Sequence, residues 1–195
     1  MNKIETICVY GASSSMISET YKNAAFRLGR ILAGKGIRLV NGAGKCGLMG
    51  ACSDACIGAG GEVTGIIPHF MVEQGWQHRH LTHIIETVDM HERKSLMAKM
   101  SDAAIALPGG CGTIEELMEL ITWKQLGLYL KPIVLLNTDN FFEPLLSFLQ
   151  KTVDEHFMRP QHTHIWHVAK SPEEAVDLTF SIPLWNKEIC KFAAI

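Results

Sequence analysis

The sequence has little surplus charge of either sign: 18 Lys and Arg stand against 20 Asp and Glu, a formal net charge of -2. That excludes the broad electrostatic field with which proteins grip nucleic acid polymers, so an anionic ligand has to be held by local chemistry. Long apolar runs are also missing, and none approaches the roughly 18 residues of a membrane span. The opening stretch, MNKIETICVYGASSS, lacks the basic, apolar and small-residue order of a secretory signal. Cysteine is present but unpaired in pattern: Cys8, Cys46, Cys52, Cys56, Cys111 and Cys190 read as reduced thiols, and the expected location is the cytoplasm. Cys52 and Cys56 share a helix face and read as small buried thiols rather than a redox pair. Neither His78, His80 and His83 nor His162, His164 and His167 comes with a close cysteine pair or an H-E-x-x-H arrangement, so no metal site is expected.

What is there is a regular alternation of apolar runs with helical patterns, the sign of repeated βαβ units around a parallel sheet. With 195 residues and 47% hydrophobic side chains the chain is expected to form one domain, residues 1–195, and roughly 70% of its unfolded surface can be buried. Strands are expected at Ile4–Tyr10, Ile37–Val40, Val63–Ile67, Ile84–Glu86, Ala103–Leu107 and Ile133–Leu136. Helices are expected at Thr20–Ala33, Leu48–Ile57, Met90–Met100, Thr113–Gln125, Phe141–Glu155 and from Pro172 onward. Pro172 after Ser171, with Glu173 and Glu174 in the first turn, is a helix-start signal. His69–His83 has little periodicity and reads as a loop able to fold over a site.

Three strand ends carry small-residue turns: Tyr10-Gly11-Ala12-Ser13-Ser14, Asn41-Gly42-Ala43-Gly44-Lys45-Cys46-Gly47 and Pro108-Gly109-Gly110-Cys111-Gly112-Thr113. Any one of them alone is a plain tight turn. In an open parallel sheet, ligands sit outside the carboxyl ends of the strands, so three such turns suggest one shared pocket. The second contains a literal G-x-G-x-x-G (Gly42, Gly44, Gly47), but the acidic residue that should follow at the end of the next strand is missing. That strand ends Ile66-Ile67-Pro68, and Glu62 lies at its other end, which argues against a dinucleotide cofactor. After the third turn, the Thr113 side chain and backbone N–H can close around a phosphate at a helix start.

Helical spacing separates the next two glutamates. Glu115 shares a stripe with Glu119 and Thr122, while Glu116 shares one with Leu120 and Trp123. Ile114, Leu117, Met118 and Ile121 form a further apolar stripe, so this helix is expected to be covered on two sides, by the sheet and by a second copy of the chain. Arg93 falls in line with Met97 and Met100, an inward guanidinium that needs a carboxylate such as Glu116; Lys94 beside it reads on spacing alone as a solvated charge.

The run R-K followed by SDAAIALPGGCGTIEELMELITWKQLG resembles the signature of the LOG family, the cytokinin riboside 5′-monophosphate phosphoribohydrolases. Ile7–Ser14, LVNGAGKCGLMG, GEVTGIIP, DMHERK, PGGxGTxxE and KPIVLLN follow the family's order across most of the chain. The resemblance implies a modified Rossmann fold with helices on both faces of a parallel sheet, a homodimer, and hydrolysis of a nucleoside 5′-monophosphate such as AMP to free base and ribose 5-phosphate without metal or cofactor. By motif it implies that Arg93 and Glu116 are catalytic. Ser13, Ser14, Gly44, Met90, Lys94, Pro108, Gly109, Gly110, Cys111, Gly112, Thr113, Ile114, Glu115 and Thr122 are the matching candidates for substrate contact. Older descriptions of the family as lysine decarboxylases find no lysine here in a pyridoxal-phosphate setting. The chain departs from the family pattern at Ala12, at Asn41-Gly42-Ala43-Gly44 and at Cys111, positions expected to shape the pocket around base or sugar. The alternative is a carrier of the same fold, for a nucleotide or the molybdenum cofactor, which needs the anion cradle but not a carboxylate beside the sugar.

Overall fold

A computed structural model describes residues 3–188, so Cys190 lies outside the described residues. Seven strands form one parallel sheet: β1 (Thr6–Tyr10), β2 (Arg38–Asn41), β3 (Val63–Pro68), β4 (His83–Thr87), β5 (Ala103–Ala106), β6 (Ile133–Leu136) and β7 (His167–Ala169). Their order is β4-β3-β2-β1-β5-β6-β7. Buried on both faces, β1, β5 and β6 are continuous apolar or small-residue runs, as covered parallel strands must be.

Helices α1 (Glu19–Gly34), α2 (Gly47–Gly58) and α7 (Pro172–Ser181) cover one face; α4 (Met90–Lys99), α5 (Cys111–Gln125) and α6 (Glu143–Asp154) cover the other. Ile7 and Val9 of β1 point into the first core with Leu28, Leu32 and Leu48. Cys8 and Tyr10 point into the second with Met97, Leu117 and Ile121. Alternate residues of one strand thus serve two cores.

The expected elements are present, with ends shifted by one or two residues. Three features differ from expectation. The short β7 has no counterpart among the expected strands, because a three-residue edge strand leaves almost no periodicity. The His69–His83 stretch is not all loop: it opens with a five-residue helix, α3 (His69–Glu73). Met100, grouped with Arg93 and Met97 as inward-facing, is 40% exposed just past the end of α4, while Met97 is fully buried.

The order of strands reverses beside β1: the chain steps outward through β2, β3 and β4, then returns to add β5 on β1's other side. Ligand crevices form outside the strand ends at such a reversal. Here the Ala12 N–H donates to the Pro108 carbonyl at 3.1 Å, joining the turns after β1 and β5 directly.

Candidate active site

At this reversal lies a cavity of about 640 Å³. All three glycine-bearing turns reach it: Gly11 to Ser14 from the first, Gly42 and Gly44 to Cys46 from the second, Gly110, Gly112 and Thr113 from the third. Arg93 and Glu116 line it from α4 and α5, and Met49, Ile67, Met71 and Trp76 supply an apolar wall. Of the residues expected to contact substrate, Ser13, Ser14, Gly44, Met90, Gly110, Gly112, Thr113 and Glu115 line the cavity. Lys94, Pro108, Gly109, Cys111, Ile114 and Thr122 do not.

The reason differs from one residue to the next. Pro108 and Gly109 shape the turn from behind: a Cβ on Gly109 would lie 2.1 Å from the Thr113 hydroxyl oxygen. Thr122 is exposed and its hydroxyl donates back to the Met118 carbonyl at 2.8 Å, a common use of a helical threonine. Lys94 is not the solvated charge its spacing suggests. It is buried and ion-paired to Glu115, and to Glu119 at 3.1 Å, so it sets the position of a carboxylate at the cavity rim.

Arg93 and Glu116 form the central pair. Asp89 caps α4 by accepting the Glu92 N–H at 2.8 Å, which fixes where the helix begins and turns Arg93 toward the sheet. Arg93 Nη1 donates to Glu116 Oε1 at 2.7 Å, and Nε donates to the Ile66 carbonyl at 3.0 Å. Both side chains are almost fully buried, Arg93 at 6% and Glu116 at 9% exposure. A buried carboxylate of this kind needs its partner; deleting one half of such a pair typically costs about 3–5 kcal/mol. Burial pushes the Glu116 carboxyl above the ordinary range, and the Arg93 charge only partly opposes it.

Gly42 is what lets the guanidinium in. A Cβ there would lie 1.8 Å from Arg93 Nη2, so this glycine makes room for the arginine. The same turn shows how Asn41 is used. Its Oδ1 accepts the Ala43 N–H at 2.9 Å and its Nδ2 donates to Ser53 Oγ at 2.8 Å. That clamp holds Ala43 in the left-handed region, φ 60°, which costs a residue with a Cβ about 1–2 kcal/mol.

The two helix starts differ. At α2, the Leu48 and Met49 N–H groups both point at the Ala12 carbonyl, at 2.8 and 3.3 Å. At α5, Ile114 donates to Gly110, and the N–H groups of Cys111, Gly112 and Thr113 have no hydrogen-bond partner among the described residues. Three free amides, a buried threonine hydroxyl and the positive end of a 15-residue helix are groups of the kind that can hold an anion. Lys45, Cys46, Met49, Ile67, Met71 and Trp76 join the cavity without having stood among the sequence candidates. The looseness of residues 69–83 was the one signal for the last two.

Other reactive groups lie away from the cavity. Cys8 and Cys56 are buried thiols pushed up to about 12 and about 11 by burial, and Cys52 rises further. Lys124 is fully buried at the far end of α5, held down to about 8 by burial, and its Nζ donates to the Lys131 carbonyl at 2.9 Å. Lys45 does line the cavity, but its Nζ donates to the Gly75 carbonyl at 2.6 Å. No three His, Cys, Asp or Glu side chains among the described residues gather as metal ligands would. No helix among the described residues is long and apolar enough to cross a membrane.

Fold and site together define a class: a Rossmann-like α/β protein with an open helix start and a buried arginine–glutamate pair at the switch point of its sheet. Residues 49–179 match the family described as "Possible lysine decarboxylase". The chain is 45% identical over 175 residues to the cytokinin riboside 5′-monophosphate phosphoribohydrolase LOG1 of Arabidopsis thaliana, covering 90% of this chain and 82% of that protein. It is 43% identical over 176 residues to the probable cytokinin riboside 5′-monophosphate phosphoribohydrolase LOGL2 of Oryza sativa subsp. japonica, covering 90% and 72%. Among solved structures, it resembles the molybdenum cofactor binding protein from Rippkaea orientalis, with TM-score 0.71, 25% identity and 92% and 98% coverage. The chain belongs to the LOG family of phosphoribohydrolases.

Proposed function

We propose that this protein hydrolyses the N-glycosidic bond of purine nucleoside 5′-monophosphates, AMP and cytokinin riboside 5′-monophosphates among them, to free base and ribose 5-phosphate. The observation that carries this reading is the placement of two functions on one helix. The open N-terminus of α5 offers amides to an anion, and Glu116 follows Thr113 by three residues, about 4.5 Å further along the axis at 1.5 Å per residue. A ligand whose phosphate rests on those amides lays its sugar against the carboxylate. The base then falls on the apolar wall of Met49, Ile67, Met71 and Trp76.

The chemistry follows from the bond. As C1′–N breaks, its electron pair leaves with the base and positive charge develops on the sugar. Ionised Glu116 stabilises that charge and takes a proton from the water whose oxygen bonds to C1′; the departing base gains a proton in turn. Arg93 holds the carboxylate at its station. The four residues of the apolar wall limit the other solvent that could compete.

The name of the lysine decarboxylase family adds nothing to this reading, since the lysine at the cavity is committed to a backbone carbonyl. The protein is further proposed to act as a homodimer in the cytoplasm. In support, α5 keeps Ile114 and Met118 only partly covered, and Leu126 and Leu128 beyond its end are exposed.

The test is incubation with a panel of nucleoside monophosphates and chromatography of the products. Wild-type protein is expected to release free adenine from AMP, and Glu116→Gln to lose at least about 10²-fold in kcat while still binding AMP. Binding without release by the wild type would instead mark a carrier.

A further inference from the structure

The segment that follows β3 carries Met71 and Trp76 to the cavity wall. It has few core contacts of its own, and α3 buries none of its five residues. Its attachment is polar and concentrated where it returns to the second turn. The Lys45 N–H donates to the Trp76 carbonyl at 3.3 Å, Gly44 and Gln77 form an isolated antiparallel bridge, and the His78 N–H donates to the Ala43 carbonyl at 2.8 Å.

His78 is the one buried side chain in this attachment, at 5% exposure, and both its ring nitrogens are engaged. Nδ1 accepts the His80 N–H at 3.1 Å, and Nε2 lies 2.8 Å from Asp54 Oδ1 on α2. An accepting Nδ1 has no proton, so the hydrogen is on Nε2 and is donated to Asp54. One imidazole therefore ties the segment to its own next turn and to α2, the helix that opens from the glycine turn.

We propose that His78 is a positioning residue for substrate binding: it clasps residues 74–80 to α2 and so holds Met71 and Trp76 over the base end of the cavity. His78 does not line the cavity and touches neither Arg93 nor Glu116, so its effect falls on binding and not on the bond-breaking step. This inference rests on the hydrolase reading for its kinetic test, and an exchange measurement keeps it separate.

The variants divide the clasp. His78→Ala removes both side-chain bonds. His78→Asn places an acceptor near the Nδ1 position but cannot reach Asp54, and His78→Gln reaches Asp54 but leaves the His80 N–H without its acceptor. Asp54→Ala cuts the same bond from its exposed end, and serves if the histidine variants fail to fold. For AMP, the KM of His78→Ala is expected to rise about tenfold with kcat within twofold of wild type, and His78→Gln and His78→Asn to fall between. Backbone amides of residues 75–80 are expected to exchange faster in His78→Ala and in Asp54→Ala, with the rest of the sheet unchanged. An unchanged KM, or a fall in kcat at unchanged KM, overturns the proposal. So does unchanged exchange over 75–80, a result readable even if wild-type protein releases no base, in which case the hydrolase reading alone has failed.

Discussion

The turns before α2 and α5 look alike in sequence, each a glycine-rich bend that opens a helix after a buried strand, yet their amides are used differently. At α2 the Ala12 carbonyl fills the helix start, so this turn serves to join the segments that follow β1 and β2 and to admit Arg93 past Gly42. At α5 the first three amides have no partner among the described residues, and two of the three residues, Gly112 and Thr113, line the cavity. A glycine pattern therefore tells where backbone comes close to something; whether that neighbour is a ligand or another part of the protein is a separate question.

The sharpest way to break the comparison is at the glycines of the α2 turn. Gly42→Ala forces the Arg93 guanidinium away from a Cβ 1.8 Å distant, and kcat for AMP is expected to fall on the order of 10²-fold as Glu116 loses its station. Gly44→Ala meets only the flexible tip of Met49, at 2.7 Å from its Cε, and kcat should stay within a few-fold. Equal losses in steady-state assays of the two variants would show that the turn contacts the ligand in its own right.

A smaller effect separates the two helix starts. Thr113→Ala is expected to raise the KM for AMP, and the inhibition constant of inorganic phosphate, by about tenfold, the worth of one hydrogen bond to a charged group. Cys46→Ala, at the N-cap of α2, should leave phosphate inhibition within about twofold. If the cysteine variant loses phosphate and the threonine variant keeps it, the anion sits at the wrong helix for Glu116 to reach the sugar.

The pH profile gives the mildest test. The carboxylate of Glu116 is the working form and burial has raised its pKa, so kcat/KM is expected to fall as pH drops through a value above the ordinary carboxylate range. Wild-type profiles should show that acid limb. A limb at the usual glutamate value would mean that buried Glu116 is not the working carboxylate.

Much of the fold was legible because pattern carries it. Apolar runs, several of them continuous, marked six of the seven strands, and helical patterns and start signals marked six helices, since such elements bury a face that the order of residues reveals. Glu116 was separable from Glu115 for the same reason: its stripe continues through Leu120, which is buried, while that of Glu115 runs through exposed Thr122. β7 and α3 were not legible, being too short for any period to repeat. The solvated charge that spacing alone suggested for Lys94 did not hold, because its partners, Glu115 and Glu119, come from another helix, and spacing along one helix says nothing about the next.

The sequence by itself determined most of the apolar faces and where the backbone must bend, because local sterics and pattern act over a few residues. It also carried the family motif, and with it the expectation of a phosphate cradle and an arginine–glutamate pair. Only the tertiary structure decided that the Ala12 carbonyl closes one helix start while the other stays open, that Gly42 yields its space to Arg93, and that His78 meets Asp54 on α2. These are encounters between residues far apart in the chain, and their distances are set by how the strands are ordered in the sheet.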